Sequence, residues 1–257
     1  MEEFRTATES LTALAQGQLR DVLASFGPGL DPVRARDLTL DVFPDFMTAY
    51  GDTAAVLGAD FYDMVRGVPA SAGSFHTVFA QPAKAKQSEG AVRWAVGALF
   101  QDEPDWGLFE SQLLGAAQRL VMLPARATVD LMSRADVKSG KVAAVRWSRS
   151  LNPGRARSGK SCDFCVMLAG RGPVYRSESS AGQVGGRGST RIGFDDAGNR
   201  LSGGIGGGIV ARGSQGIESD YHDNCHCVPV PTVYQRETRT FNVRGYERRE
   251  SVLAPIR

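Results

Sequence analysis

Residues 106–135 read WGLFESQLLGAAQRLVMLPARATVDLMSRA and predict a long amphipathic helix. Apolar residues recur every three or four positions, which places them on one face. They are Leu108, Leu113, Leu114, Leu120, Val121, Val129 and Leu131. Pro124 lies inside the pattern and predicts a kink, because proline removes a helical hydrogen bond. A helix with this much apolar surface needs other helices to cover it.

Comparable patterns precede this segment. Gly27-Pro28-Gly29 ends the first of them, and Asp31-Pro32 begins the next as an N-cap followed by proline at the first helical position. Pro44 predicts a kink or a break near Phe43, with a further helix starting at about Asp52. Together the predicted helices form a bundle, with a connecting loop at 67–85 and renewed helix at 87–100.

The second half of the sequence has a different composition. Residues 142–147 (VAAVRW) predict a short strand, and a β-branched stretch within 221–234 predicts another. Residues 170–216 hold 15 of the 30 glycines, too many for a packed core, and predict a turn-rich excursion.

Charge is distributed unevenly between the halves. The 257 residues carry 30 basic and 28 acidic side chains, a net of +2. Residues 1–137 have a net charge of −7 and residues 138–257 a net charge of +9. The basic half suits nucleic acid or an acidic protein as a partner. No apolar run approaches the length of a membrane span and no signal peptide is evident, so we expect no membrane partner.

All four cysteines and two of the three histidines fall in two short clusters. The first is Cys162-Asp163-Phe164-Cys165, and the second is His222-Asp223-Asn224-Cys225-His226-Cys227. A C-x-x-C turn lets two sulfurs reach one metal, and zinc prefers four nitrogen or sulfur ligands. The pattern predicts a structural zinc bound by Cys162, Cys165, Cys225 and Cys227, with His222 able to replace one cysteine. Two disulfides and four unrelated thiols are the alternatives.

A basic loop precedes the first cysteine cluster. Residues 154–161 (GRARSGKS) match the phosphate-loop pattern, but no later strand ending in aspartate completes a magnesium site. The glycine run at 203–210 has no following Gly-Lys-Ser/Thr. We therefore interpret Arg155, Arg157 and Lys160 as a possible contact with DNA or a protein partner.

Signals of catalysis are weak. The outlying histidine, His76, lies two residues after Ser74, and the sequence contains neither G-x-S-x-G nor H-E-x-x-H. We expect no enzyme, no catalytic residue and no bound organic cofactor. The alternatives that remain are a protease and a zinc-ribbon type of nucleic-acid-binding protein.

These observations predict an α+β fold in three parts. Residues 1–136 form the N-terminal helical bundle. Residues 137–235 form a small zinc-clamped α+β region with a glycine-rich insertion at 183–216. Residues 236–257 form a basic tail.

The cysteine region resembles a known family. Cys162-x-x-Cys165, Met167-Leu168-Ala169, Val174-Tyr175-Arg176-Ser177 and the later run Tyr221 to Pro229 are similar to the MuF-like minor head proteins of tailed bacteriophages, the actinobacteriophage type above all. Residues 118–129 resemble the long helix before the cysteine turn, and 147–149 resemble the strand that leads into it.

The resemblance implies a minor capsid protein, made in the host cytoplasm and packaged inside the head near the portal. It would assist head morphogenesis or genome delivery, with the portal and the capsid or scaffold proteins as partners and packaged double-stranded DNA as a further, non-specific one. It also implies that the five cysteine and histidine positions are metal or structural ones, and it gives a capsid maturation protease as the alternative function.

Overall fold

The computed structural model describes residues 2–26, 30–67, 78–151, 161, 163–176, 181, 228–243 and 246–256. The elements are α1 (Glu2–Ser25), α2 (Pro32–Val65), α3 (Ala85–Ala95), a 3-10 helix (Val96–Phe100), α4 (Trp106–Ser139), β1 (Ala144–Ser150), α5 (Asp163–Ala169), β2 (Val228–Val243) and β3 (Tyr246–Pro255). The described residues are mostly helical and include one three-stranded sheet, which agrees with the predicted α+β class.

The chain divides into two units. Residues 1–145 and 231–257 form the first unit, and residues 146–230 form the second. The first unit contains α1 to α4 and the paired strands β2 and β3 from residue 231 onward. Residues 236–243 and 246–255, interpreted in the sequence as part of a basic tail, are strand.

Helices α2 and α4 approach each other closely because α2 carries small residues where they meet. A Cβ added to Gly58 would lie 2.4 Å from the carbonyl oxygen of Ala125, and one added to Gly51 would lie 3.3 Å from Pro124 Cγ. Ala54, Ala55 and Ala59 are buried on the same stretch of α2. The backbones can pack at this distance only without larger side chains between them.

Pro44 does not end a helix. All of residues 32–65 are described, and α2 runs through them as one element, so the predicted break and the separate helix from Asp52 are wrong. An interior proline costs about 3 kcal/mol. Here Phe43 and Met47, on either side of it, are fully buried, and burial of this continuous apolar face offsets the cost.

The start of α2 has the predicted capping chemistry. The Asp31 carboxylate accepts a hydrogen bond from the Arg34 N–H (3.1 Å), and Pro32 occupies the first turn. Asp105 caps α4 in the same way, accepting from the Leu108 N–H (2.8 Å). Gly140 ends α4 with a φ of +74°, a left-handed conformation that glycine adopts without strain.

Contacts from α1 and from the segment after residue 78 complete the helical core. Phe4 stacks on Phe61 with ring centroids 4.1 Å apart. The Gln16 side chain donates to the Leu114 carbonyl (3.0 Å). The Ala80 N–H donates to the buried Thr128 hydroxyl (2.9 Å), which fixes the approach to α3 against α4.

The sheet has the strand order β1-β2-β3. β2 and β3 are antiparallel, with a register that runs from Tyr234 opposite Pro255 to Val243 opposite Tyr246. The Ala143 N–H donates to the Tyr234 carbonyl (2.8 Å), which joins the start of the β1 segment to β2. β1 itself starts two residues later than the sequence predicted, at Ala144.

Candidate functional site

The second unit is organised around Trp147 of β1. This side chain is buried, and its backbone pairs with Tyr175: the Trp147 N–H donates to the Tyr175 carbonyl (2.8 Å), and the Tyr175 N–H donates to the Trp147 carbonyl (3.1 Å). The segment that follows the first cysteine cluster is thus held against the strand that precedes it.

Arg149, two residues further along β1, is buried as well. Its Nη1 donates to the carbonyl of Ala181 at 3.3 Å. Ala181 has its own side chain buried. A buried guanidinium bound to a backbone carbonyl costs less than an unpaired one, and it fixes the described end of the chain before the glycine-rich insertion.

Helix α5 positions Cys165. Cys165 and Leu168 are three residues apart, share one helical face and are buried at 1% and 0% exposure. Val166 and Met167 on the other side are exposed. The thiol therefore faces the interior of the second unit, where a sulfur serves as a protected metal ligand or as a small apolar group.

The other predicted site residues lie outside the described residues: Cys162, His222, Cys225, Cys227, Arg155, Arg157 and Lys160. Within the described ranges, no group of three or more His, Cys, Asp or Glu side chains is placed to hold a metal. Cys165, three residues after Cys162 in the sequence, is buried in the first turn of α5. The zinc clamp, the two disulfides and the basic contact loop all stay predictions.

A buried ionic cluster in the first unit was not predicted. Arg66 follows the end of α2, and its Nη2 lies 2.7 Å from Asp63 Oδ1. Its Nη1 lies 2.9 Å from Asp136 Oδ2 on α4. Both carboxylates are less than 10% exposed. One guanidinium thus bridges the C-terminal ends of α2 and α4.

Two further groups complete this cluster. Lys141 Nζ lies 3.7 Å from Asp136 Oδ1, and Arg66 sits over the ring of Tyr62 with its Cζ 5.9 Å from the centroid. Burial, with the Asp136 charge adding to it, raises the pKa of Tyr62 well above its usual range. Burial disfavours the Arg66 cation, but Asp63 and Asp136 outweigh this and raise the Arg66 pKa. The arrangement stabilises a charged arginine and a neutral tyrosine.

A groove of about 320 Å³ lies where α1 ends and α4 begins. Its aromatic lining includes Trp106 and Phe109, which meet edge to face with centroids 6.0 Å apart. Arg20 and Glu110 on its rim pair with each other at 3.3 Å. Because these two charges neutralise each other, the groove presents a mainly apolar surface.

Residues 1–250 match the family described as VG15 protein, and the chain therefore belongs to the VG15 protein family. This family is a viral, phage-associated one, which identifies the chain as a phage type of protein without naming its role. Searches among curated proteins and among solved structures gave no match. In the described part of the chain, no helix has the length and apolar character needed to cross a membrane.

Proposed function

We propose that this chain is a minor capsid protein of a tailed phage, located inside the head near the portal and assisting head morphogenesis or genome delivery. The observation that carries the proposal is the match to a phage-associated family over residues 1–250, combined with the cysteine and histidine pattern that resembles MuF-like minor head proteins. We propose a structural rather than a catalytic role for the chain.

The order of elements supports the proposal. The resemblance implies a long helix, a strand leading into the cysteine turn, and then the turn itself. The described chain has the long helix α4, then β1 with the buried Trp147, then α5 with the buried Cys165. These three elements occur in the implied order and in the implied part of the sequence.

Particle composition tests the role. We expect mass spectrometry of purified virions and of DNA-free proheads to find the chain at a few copies per particle, far below the major capsid protein. A portal protein captured from infected cells should bring the chain with it. Absence of the chain from both kinds of particle would overturn the proposal. Unprocessed major capsid protein in a phage lacking this gene would favour the maturation protease instead.

We also propose that Cys162, Cys165, Cys225 and Cys227 bind one structural zinc, with His222 able to replace one of them. Zinc would supply folding energy and would close the glycine-rich segment. The Cys165→Ser variant should lose the bound zinc, whereas Leu168→Ala, which also removes buried atoms from α5, should keep it. Elemental analysis of protein purified under reducing conditions measures both; zinc-free wild-type protein would contradict the site.

A further inference from the structure

The outer part of the β2–β3 hairpin has no core of its own. We call residues 235–242 and 246–253 the ribbon; each of its side chains is exposed or half-buried. Burial resumes only at its base, where Val233 and Ala254 are 1% and 3% exposed. A two-stranded hairpin exposed on both faces is marginally stable in water. Its two faces therefore have side chains available for contact with another molecule.

The register separates the ribbon into two faces, because residues directly opposite each other project to the same side. The first, the paired face, carries Gln235, Glu237, Arg239, Phe241, Tyr246, Arg248, Glu250 and Val252. The second, the arginine face, carries Arg236, Thr238, Thr240, Asn242, Glu247, Arg249, Ser251 and Leu253.

Charges on the paired face neutralise one another. Arg239 Nη2 lies 3.5 Å from Glu237 Oε2, and Arg248 Nε lies 2.8 Å from Glu250 Oε1. The Gln235 amide also donates to Glu237 (3.3 Å). Two arginines and two glutamates leave this face without net charge.

The arginine face has a different electrostatic character. Among the described residues, neither Arg236 nor Arg249 takes part in an ion pair or a side-chain hydrogen bond, and both are exposed. Glu247 is the single acidic residue on this face. Arg249 lies opposite Thr240, and Arg236 lies four residue pairs further along. At about 3.3 Å per residue the two cations are about 13 Å apart along the ribbon, so they can meet different phosphates.

We propose that the arginine face binds the phosphate backbone of double-stranded DNA without sequence preference. Unpaired guanidiniums beside hydroxyl groups are the donors that proteins use on phosphate oxygens, and Thr238, Thr240 and Ser251 supply those hydroxyls. The major groove also has the width to admit a two-stranded ribbon. The large aromatic side chains, Phe241 and Tyr246, lie on the opposite face. The charges therefore favour DNA over a protein for this face.

A pair of matched variants of the full chain tests the assignment. Arg236→Gln/Arg249→Gln removes two charges from the arginine face, and Arg239→Gln/Arg248→Gln removes two from the paired face. Binding to a labelled duplex of random sequence is measured by fluorescence anisotropy over a range of salt concentrations. We expect the first variant to bind at least about tenfold more weakly at low salt, with the salt slope reduced by about 2. The second should stay within about threefold of wild type.

Equal weakening in both variants would overturn the proposal, because it would show a general effect of net charge. The proposal would also be overturned if the wild-type chain did not bind duplex DNA, or if the arginine-face variant bound it as well as wild type. A loss of binding confined to the second variant would overturn it too, because it would place the contact on the paired face. Glu247→Gln should strengthen binding. Thermal unfolding verifies that all variants fold like wild type. The assay uses purified protein, so its failure leaves the proposed place in the particle intact.

Discussion

The α2–α4 contact and the β2–β3 ribbon belong to the same unit but are built on opposite principles. Where α2 meets α4, Gly58 leaves no room even for a methyl group, and Arg66 bridges the buried Asp63 and Asp136 at the ends of the two helices. Along the ribbon, every side chain is exposed or half-buried. Burial explains why the helices hold together, whereas it gives no reason for the length of the ribbon.

This difference separates positions that determine stability from positions that determine contacts. Substitutions at the helix contact should change the free energy of unfolding strongly. Substitutions along the ribbon should change it little, and their effects should appear in binding instead.

The largest effect is expected at Gly58. Gly58→Ala should destabilise the chain by about 3 kcal/mol, because the new Cβ overlaps a backbone oxygen that cannot move aside. The control is Gly17→Ala in α1, where nothing lies within 4 Å and the better helix propensity should add up to about 1 kcal/mol. Urea denaturation followed by the helical circular dichroism signal measures both. If both substitutions changed the free energy of unfolding in the same direction, the close approach of α2 to α4 would be contradicted.

The ionic cluster comes next. Asp136→Asn should cost about 2 kcal/mol, since it leaves Arg66 partly buried with one carboxylate instead of two. Glu110→Gln, which breaks the exposed pair with Arg20, should cost less than about 1 kcal/mol. The same denaturation experiment compares them, and equal costs would show that burial adds nothing to the cluster.

The buried Tyr62 hydroxyl gives a pH dependence. Its pKa is raised on folding, so the stabilisation is complete below the ordinary tyrosine pKa of about 10 and is lost as the pH rises above that value. Between the two pKa values, stability should fall by about 1.4 kcal/mol per pH unit from this group. In alkaline buffers, the free energy of unfolding of Tyr62→Phe should fall less steeply with pH than that of wild type. An unchanged slope would show that other groups cause the decline.

The smallest effect is expected on the ribbon. Thr240 is exposed and lies within β2, so Thr240→Ala should change the free energy of unfolding by less than about 0.5 kcal/mol. Hydrogen exchange should show faster exchange for ribbon amides than for those of α4, because few buried contacts oppose local opening. A loss above about 1 kcal/mol in Thr240→Ala would mean that the ribbon is a stability element after all.

Sequence reasoning recovered the features that depend on local patterns. The apolar period in 106–135 gave α4, and Asp31-Pro32 gave the start of α2. It failed at Pro44, because the sequence shows the lost hydrogen bond but not the buried face that offsets it. The sequence indicated a tail over 236–257, whereas residues 236–243 and 246–255 are strand. Alternating polar residues on an exposed hairpin lack the apolar period that marks a strand.

The sites follow the same division. The spacing of the cysteines predicts Cys165 as a metal ligand; the structure shows that its side chain is buried, and the metal role stays a prediction. Asp63 and Arg66 stand three residues apart in the sequence, but nothing local indicates Asp136, which joins them only because α2 and α4 pack side by side. The two faces of the ribbon required the strand register, which no single strand's sequence contains.

The hydrogen bond between Ala143 and Tyr234 has a consequence for how the chain can vary. It closes the long excursion of the second unit at its base, inside the first unit. Closing a longer loop costs only about 0.6 kcal/mol per doubling of its length. The glycine-rich segment can therefore lengthen or shorten among related phages with little penalty to the helices. We expect a chain with residues 146–230 replaced by a short turn to keep its helical unit.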